Sequence, residues 1–161
     1  MAQENTYEPI KKVSIIISKN SLEGVYPGLI LANGALMEGM DATLFLTLFG
    51  LDLVTKDKMD NLQVEDVKNF MSRMPAPAGP MPENINAFVT EKIKEQFESM
   101  DIPPVGEFLE MIHDGGGKIY ACKAMADMFH LTKDDFCDEV DDIISVGEMY
   151  EASAGAQIIY T

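Results

Sequence analysis

The chain is expected to fold as an α/β protein, a three-layer α/β/α sandwich around a mostly parallel sheet of about five strands, with a helical insertion. Three observations lead there. Short β-branched runs alternate with helical spacings at both ends of the chain. The apolar runs are continuous and of strand length, as in parallel strands buried on both faces. The middle of the chain holds more helix than one crossover between parallel strands needs.

The first strand is "KKVSIIIS", Lys11–Ser18. Leu22, Val25, Leu29, Ala32, Leu36 and Met37 follow near helical spacing, and Pro27 and Gly28 place the start of that helix near Tyr26. "DATLFLTL", Asp41–Leu48, reads as a second buried strand and completes a βαβ unit, whose crossover is right-handed. Leu62, Val67, Phe70 and Met71 then mark an amphipathic helix, which "MPAPAGPMP" (Met74–Pro82) stops with four prolines. Ile85, Phe88, Val89, Ile93, Phe97 and Met100 mark the next helix. A third begins beyond Pro103 and Pro104, carries Val105, Phe108, Leu109 and Ile112 on one face, and stops at Gly115–Gly117. Residues 1–161 thus read as a single domain in which 55–100 is a helical insertion with a Met- and Pro-rich loop at 74–82. The insertion is expected to pack against another subunit or to overhang the functional crevice. The alternation then returns: "KIYAC" as strand, "KAMADMFHL" as helix, "DEVDDIIS" holding a brief strand, "VGEMYEASAGA" as helix and "QIIY" as the last strand.

Charge narrows the partners. A formal charge of −15 repels phosphate backbones and anionic lipid surfaces, so neither nucleic acid nor membrane is an expected partner. The most apolar region is cut by Glu38, Asp41 and Asp52 before it reaches membrane length. No signal peptide is visible, so the two cysteines are expected to be free thiols in a reducing cytoplasm.

Most motifs that invite chemistry have a plainer reading. "GGGK" follows a helix and precedes a strand, the reverse of a nucleotide loop, and reads as a helix C-cap. His113, Cys122, His130 and Cys137 lack the close ligand pairs of a zinc site, so no metal is expected. His113 sits in the last turn of a helix, where an imidazolium suits the dipole. Cys122 differs, because it stands at the carboxyl end of a strand and just before a helix. Open parallel sheets place their ligand crevices at that edge. Such a position faces unpaired N–H groups and can lower a thiol pKa from about 8.5 to roughly 3.5–7.5, with Lys118 and Lys123 nearby in sequence. Cys137 lies in "DDFCDEVDD", whose carboxylates oppose ionisation. On the residues alone, Cys122 is open to two readings, a reactive thiol or a small buried hydrophobe.

"KKVSIIISKNSLEGVYPGLILANGALMEGMDATLFLTLFGLDLV", "MSRMPAPAGPMP" and "GGGKIYACKAMADMFHL" together resemble the DsrE/DsrF-like (DsrEFH, TusD-type) sulfur-relay family. The likeness is to its longer subgroup from sulfur-oxidising gene neighbourhoods, and it covers nearly the whole chain from Lys11. It implies a five-stranded parallel sheet, a tendency to form homo- or hetero-oligomers, with a homo-oligomer expected here, and a sulfur-carrier role without a cofactor. The family's cysteine after the mid-chain strand, which takes up a persulfide or thiosulfonate group, matches Cys122. The implied partners are donor and acceptor proteins with reactive cysteines. Ser18 and Asn20 in the loop after the first strand, with Lys123, are the candidate substrate-binding groups; helix capping by Asn20 or Ser21 is the competing reading. Two other functions stay open: a non-catalytic oligomeric binding protein, and a thiol redox protein that joins Cys122 to Cys137.

Overall fold

In the computed structural model, which describes residues 8–161, five parallel strands form one sheet in the order β4-β3-β2-β1-β5. They are β1 (Lys12–Ile17), β2 (Asp41–Leu46), β3 (Lys118–Cys122), β4 (Asp142–Ile144) and β5 (Gln157–Tyr160). Six α-helices lie among the described residues: α1 (Leu22–Met37), α2 (Val67–Met71), α3 (Ile85–Ser99), α4 (Val105–Asp114), α5 (Lys123–Met128) and α6 (Val146–Ala152). Every pairing in the sheet is parallel, as the continuous apolar runs require.

The pleat sorts the strand residues onto two faces. Ile15, Ile17, Leu44, Leu46, Ile119 and Ala121 are fully buried on one face, in one cluster with Val25, Leu29 and Ala32 of α1 and Leu109 and Ile112 of α4. Each buried Ile or Leu there contributes about 1.5–3 kcal/mol, so this layer carries most of the stability. The other face is thinner. Phe45, Cys122, Ile144 and Met149 form a separate small cluster, with Ile16, Tyr120 and Met125 packed on it. Short α6 supplies Met149 to it, and α6's C-cap residue Ser153 meets Ser14 of β1 through hydroxyls 2.7 Å apart.

The order follows from the crossovers. Strands β1 to β4 step in one direction, and β5 then returns to the free side of β1. A right-handed connection that reverses direction must run over the opposite face, which is why α6 is found there.

Three local readings change. Helix α1 starts at Leu22 rather than near Tyr26 and carries Pro27 inside it. The Leu22 N–H is paired with the Gln63 carbonyl, which fixes the first turn from outside the helix. The helix expected around Leu62–Met71 is only Val67–Met71, because Asp66 starts it afresh by accepting the Asn69 N–H. Leu62 and Val64 instead lie buried in the larger core. Strand β2 ends at Leu46, and Leu48, with φ of 49°, turns the chain out of the sheet. The glycine reading of residues 115–117 agrees with the structure: Gly116 has φ of 90°, and the Gly117 N–H returns to the Ile112 carbonyl.

The side chains of the inserted helices join the core on the α1/α4 face. Val89 and Ile93 are buried in that core, and Phe70, Met71, Met74 and Phe97 pack against the same core. None of them enters the cluster that holds Cys122.

Candidate functional site at the carboxyl edge of the sheet

The strand register builds the site. Ile17, Leu46, Ala121 and Ile143 are aligned across the four strands, so the next row is Ser18, Thr47, Cys122 and Ile144. These residues lie at the carboxyl edge, where parallel sheets gather ligand-binding groups. Alternation turns their side chains to the α6 face.

Cys122 is a free thiol, 4% exposed, at the N-cap position of α5. Its side chain makes no capping bond and lies among Phe45, Ile144 and Met149. Helix α5 has only six residues, so the dipole behind the thiol is weaker than a full helix would give. Phe49 and Phe129 stack with ring centroids 6.4 Å apart, linking the turn after β2 to the end of α5. Both rings are exposed to solvent. Gly50 makes that turn possible: a Cβ there would stand 2.1 Å from the Ile17 carbonyl oxygen.

Cys137 has a different environment. It is buried in the larger core, its N–H donates to the Val54 carbonyl at 2.8 Å, and its thiol pKa is pushed up to about 12. Burial is the main cause and Glu139 the next, so the carboxylates read from the sequence act second to desolvation. The two cysteines belong to different apolar clusters.

The tentative binding residues all lie at this edge, each with a protein partner. The Ser18 hydroxyl donates to the Thr161 carbonyl at 3.1 Å, and Ser18 stands two strands from Cys122, about 10 Å across the sheet. Asn20 donates to the Asp52 carboxylate at 2.9 Å, in a polar groove shared with Lys58. Lys123 pairs with Asp127 at 3.1 Å. It also helps hold the Glu148 carboxyl below its usual range, after the larger effect of the Ser145 hydrogen bonds. Asn20 does not cap α1, and neither does the Ser21 side chain, whose hydroxyl is buried without a partner.

Sequence reasoning missed Thr47. It is half-buried and follows Leu46 as Cys122 follows Ala121, so continuing the register puts the two backbones about one strand spacing, ~4.8 Å, apart. Only the register identifies it, since nothing in "LFLTLFG" marks that threonine as facing a cysteine 75 positions later. Among the described residues, no group of three His, Cys, Asp or Glu side chains is placed to hold a metal ion. No described helix is long and apolar enough to cross a membrane.

A five-stranded parallel sheet with one cysteine at its carboxyl edge and helices on both faces defines a thiol-bearing α/β/α domain. Residues 9–159 match the DsrE/DsrF/DrsH-like family, and the chain belongs to it. It is 30% identical over 141 residues to the sulfur carrier protein DsrE2 of Allochromatium vinosum, covering 81% of this chain and 86% of that one. It is 23% identical to the uncharacterized protein YrkE of Bacillus subtilis, over 83% of this chain and 86% of the relative. Two solved structures share the fold at 12% identity. The ychN protein of E. coli has a TM-score of 0.55, covering 93% of this chain and 99% of its own. MTH1491 of Methanobacterium thermoautotrophicum, a protein of unknown function, has a TM-score of 0.52, covering 93% and 98%.

Proposed function

We propose that this protein is a sulfur carrier that holds sulfane sulfur on Cys122, as a persulfide or thiosulfonate, and passes it to a partner thiol. The observation that carries this reading is the placement of Cys122. It ends β3 in the crevice row, beside the Thr47 strand, while the other thiol is buried elsewhere and held protonated. Family membership and the likeness to a named sulfur carrier support it.

In the loading step the Cys122 thiolate attacks the outer sulfur of a donor persulfide, R–S–SH. The donor's S–S bond breaks, R–S⁻ leaves with the electron pair, and Cys122 becomes Cys–S–SH. An acceptor thiolate repeats the step on that outer sulfur. Sulfur moves without net oxidation, so the chemistry draws on no cofactor. In this reading Thr47, which follows Leu46 as Cys122 follows Ala121, is the polar residue that donates to the sulfur anion.

Cys122 is almost covered and packs in one cluster with Met149 of α6, so donor and acceptor must displace part of that packing to reach it. This suits partner proteins that displace a short helix better than it suits free collision. Self-association is part of the same proposal. Val146, Tyr150, Ile158 and Tyr160 are 44–65% exposed on or beside α6 and β5, an apolar surface that a second copy of the chain would bury.

The test is the intact mass after exposure to polysulfide, thiosulfate or tetrathionate. A stable gain of sulfur on Cys122 supports the carrier, and an unmodified protein supports a binding role. Loss of two hydrogens would mean a Cys122–Cys137 disulfide, which their separate clusters disfavour.

A further inference from the structure

We propose that the cavity between α1, α3 and α4 is a docking site for a basic amphipathic segment of a partner protein. One apolar side chain of the segment sits on the cavity floor, with Lys or Arg side chains against its rim. The inference does not depend on the sulfur-carrier reading.

The cavity encloses about 610 Å³, enough for an anchoring side chain and its neighbours. Its floor is apolar, with Leu22 and Tyr26 from α1, Phe97 from α3 and Val105 from α4. The Tyr26 ring lies 4.5 Å from Phe97, and its hydroxyl donates to the Pro103 carbonyl at 3.0 Å. With that hydroxyl already engaged, the tyrosine contributes mainly its ring to the floor.

The rim is acidic. Asp60, Glu91, Glu95, Glu98, Asp101 and Glu107 line it, and Lys94 is its single cation. The whole chain has 27 acidic residues to 12 basic, so the rim is biased well beyond the protein's own acidity. Glu95 pairs with Lys92 and Glu91 with Lys94. Among the described residues, Asp60, Glu98, Asp101 and Glu107 have no cation within ion-pair distance. The polar groove beside α1 lacks this bias, since Lys19 and Lys58 there face Asp52, Asp57 and Glu65.

Asp101 lies on the rim in a left-handed backbone conformation. It follows α3 with φ of 56°, and the Ile102 N–H closes back on the Phe97 carbonyl at 2.9 Å. Glycine is the usual residue at such a helix end. Here a carboxylate occupies the position and adds to the rim.

The free carboxylates come from the turn before α2, the end of α3 and the first turn of α4. They come from three separate segments, and among the described residues no three carboxylates converge to hold a metal ion. That geometry fits several cations flanking an apolar anchor, which is a peptide segment and not a single small cation. Complementary charge of this kind speeds encounter and makes binding steeply salt-dependent. The cavity is on the α1/α4 side of the sheet, whereas Cys122 packs in the cluster on the other side. A partner docked in the cavity leaves the cysteine crevice uncovered.

The experiment uses the full chain and labelled short peptides with a central Leu, Phe or Trp flanked by Lys and Arg, read by fluorescence anisotropy. Peptides with Glu in place of the basic residues serve as controls. Basic members of the set should bind at roughly 1–100 µM and weaken about tenfold between about 50 and 300 mM salt, and the acidic ones should not bind. A variant with Glu98→Gln, Asp101→Gly and Glu107→Gln should lose about tenfold in affinity. A charge-matched variant at the far edge of the fold, Glu38→Gln, Asp41→Asn and Asp114→Asn, should bind as the parent does. Asp101→Gly alone should melt at or above the parent temperature and still bind more weakly, which separates a lost contact from a lost fold. The proposal is overturned if no basic peptide binds below about 1 mM. It is equally overturned if the rim variant binds like the parent, or if the far-edge variant loses as much.

Discussion

Thr47, the first residue past β2, and Cys122, the last of β3, each follow a member of the Leu46–Ala121 pair. Leu48 turns the chain away immediately afterwards, so Thr47 is the last residue of its strand line on the face shared with the thiol. A hydroxyl in that place can donate to a thiolate or persulfide anion without being displaced from another partner. Thr47→Val, close in shape, should slow sulfur uptake by roughly tenfold, about 1.4 kcal/mol, while Thr47→Ser keeps most of the rate. Rates of mass gain in polysulfide measure this, and equal rates for Val and the parent would remove Thr47 from the account.

Cys137 gives the protein a pH dependence of known sign. Its folded-state pKa is raised from 9.0 to about 12, so between those values the unfolded chain loses a proton that the folded chain keeps. Unfolding is then favoured as pH rises, and this contribution falls by on the order of 1.4 kcal/mol per pH unit across that window. Urea melts of the parent and Cys137→Ala at pH 8 and pH 10.5 should show a steeper loss in the parent. Parallel slopes would mean that the thiol is not held protonated by burial.

Two glycines should behave oppositely. Gly50→Ala drives a Cβ to 2.1 Å from the rigid Ile17 carbonyl, so the turn after β2 must move, at a cost of about 3 kcal/mol or more. Gly34, in the last turn of α1, has nothing within 4 Å of its added Cβ, and Gly34→Ala should stabilise by about 0.5–1 kcal/mol. Thermal melts of both variants decide the matter.

Helix α6 supplies Met149 to the small cluster that buries Cys122, so loosening α6 should open the way to the thiol. That helix has seven residues and is started by a capping box in which Ser145 and Glu148 bond each other's backbone N–H. Ser145→Ala should loosen it and raise the alkylation rate of Cys122 a few-fold without a matching rise at Cys137. The carboxylate of Glu148 is held in its charged form by the same bonds, so this capping contribution is present above its unfolded value of 4.5 and is lost as pH falls below it.

The strands were legible in the sequence because "KVSIII" and "ATLFL" are apolar enough to be buried on both faces. So was Cys122 as an edge residue, since the strand before it and the helix after it both have local signals. The crevice row was not legible, because it is written by register between distant strands. Pro27 misplaced the start of α1, as local proline chemistry could not anticipate the bond from Leu22 to Gln63. The thiol of Cys137 was read from neighbouring charges, whereas burial, which only the fold determines, is the larger cause.

The most direct test loads sulfur and then moves it. The parent, Cys122→Ser and Cys137→Ser proteins are treated with polysulfide, freed of excess, and mixed with a reduced thiol acceptor while intact mass is followed. The account predicts that the parent and Cys137→Ser each gain sulfur and give it up to the acceptor, and that Cys122→Ser gains none while keeping the parent's circular dichroism. Sulfur carried by Cys122→Ser and absent from Cys137→Ser would contradict it.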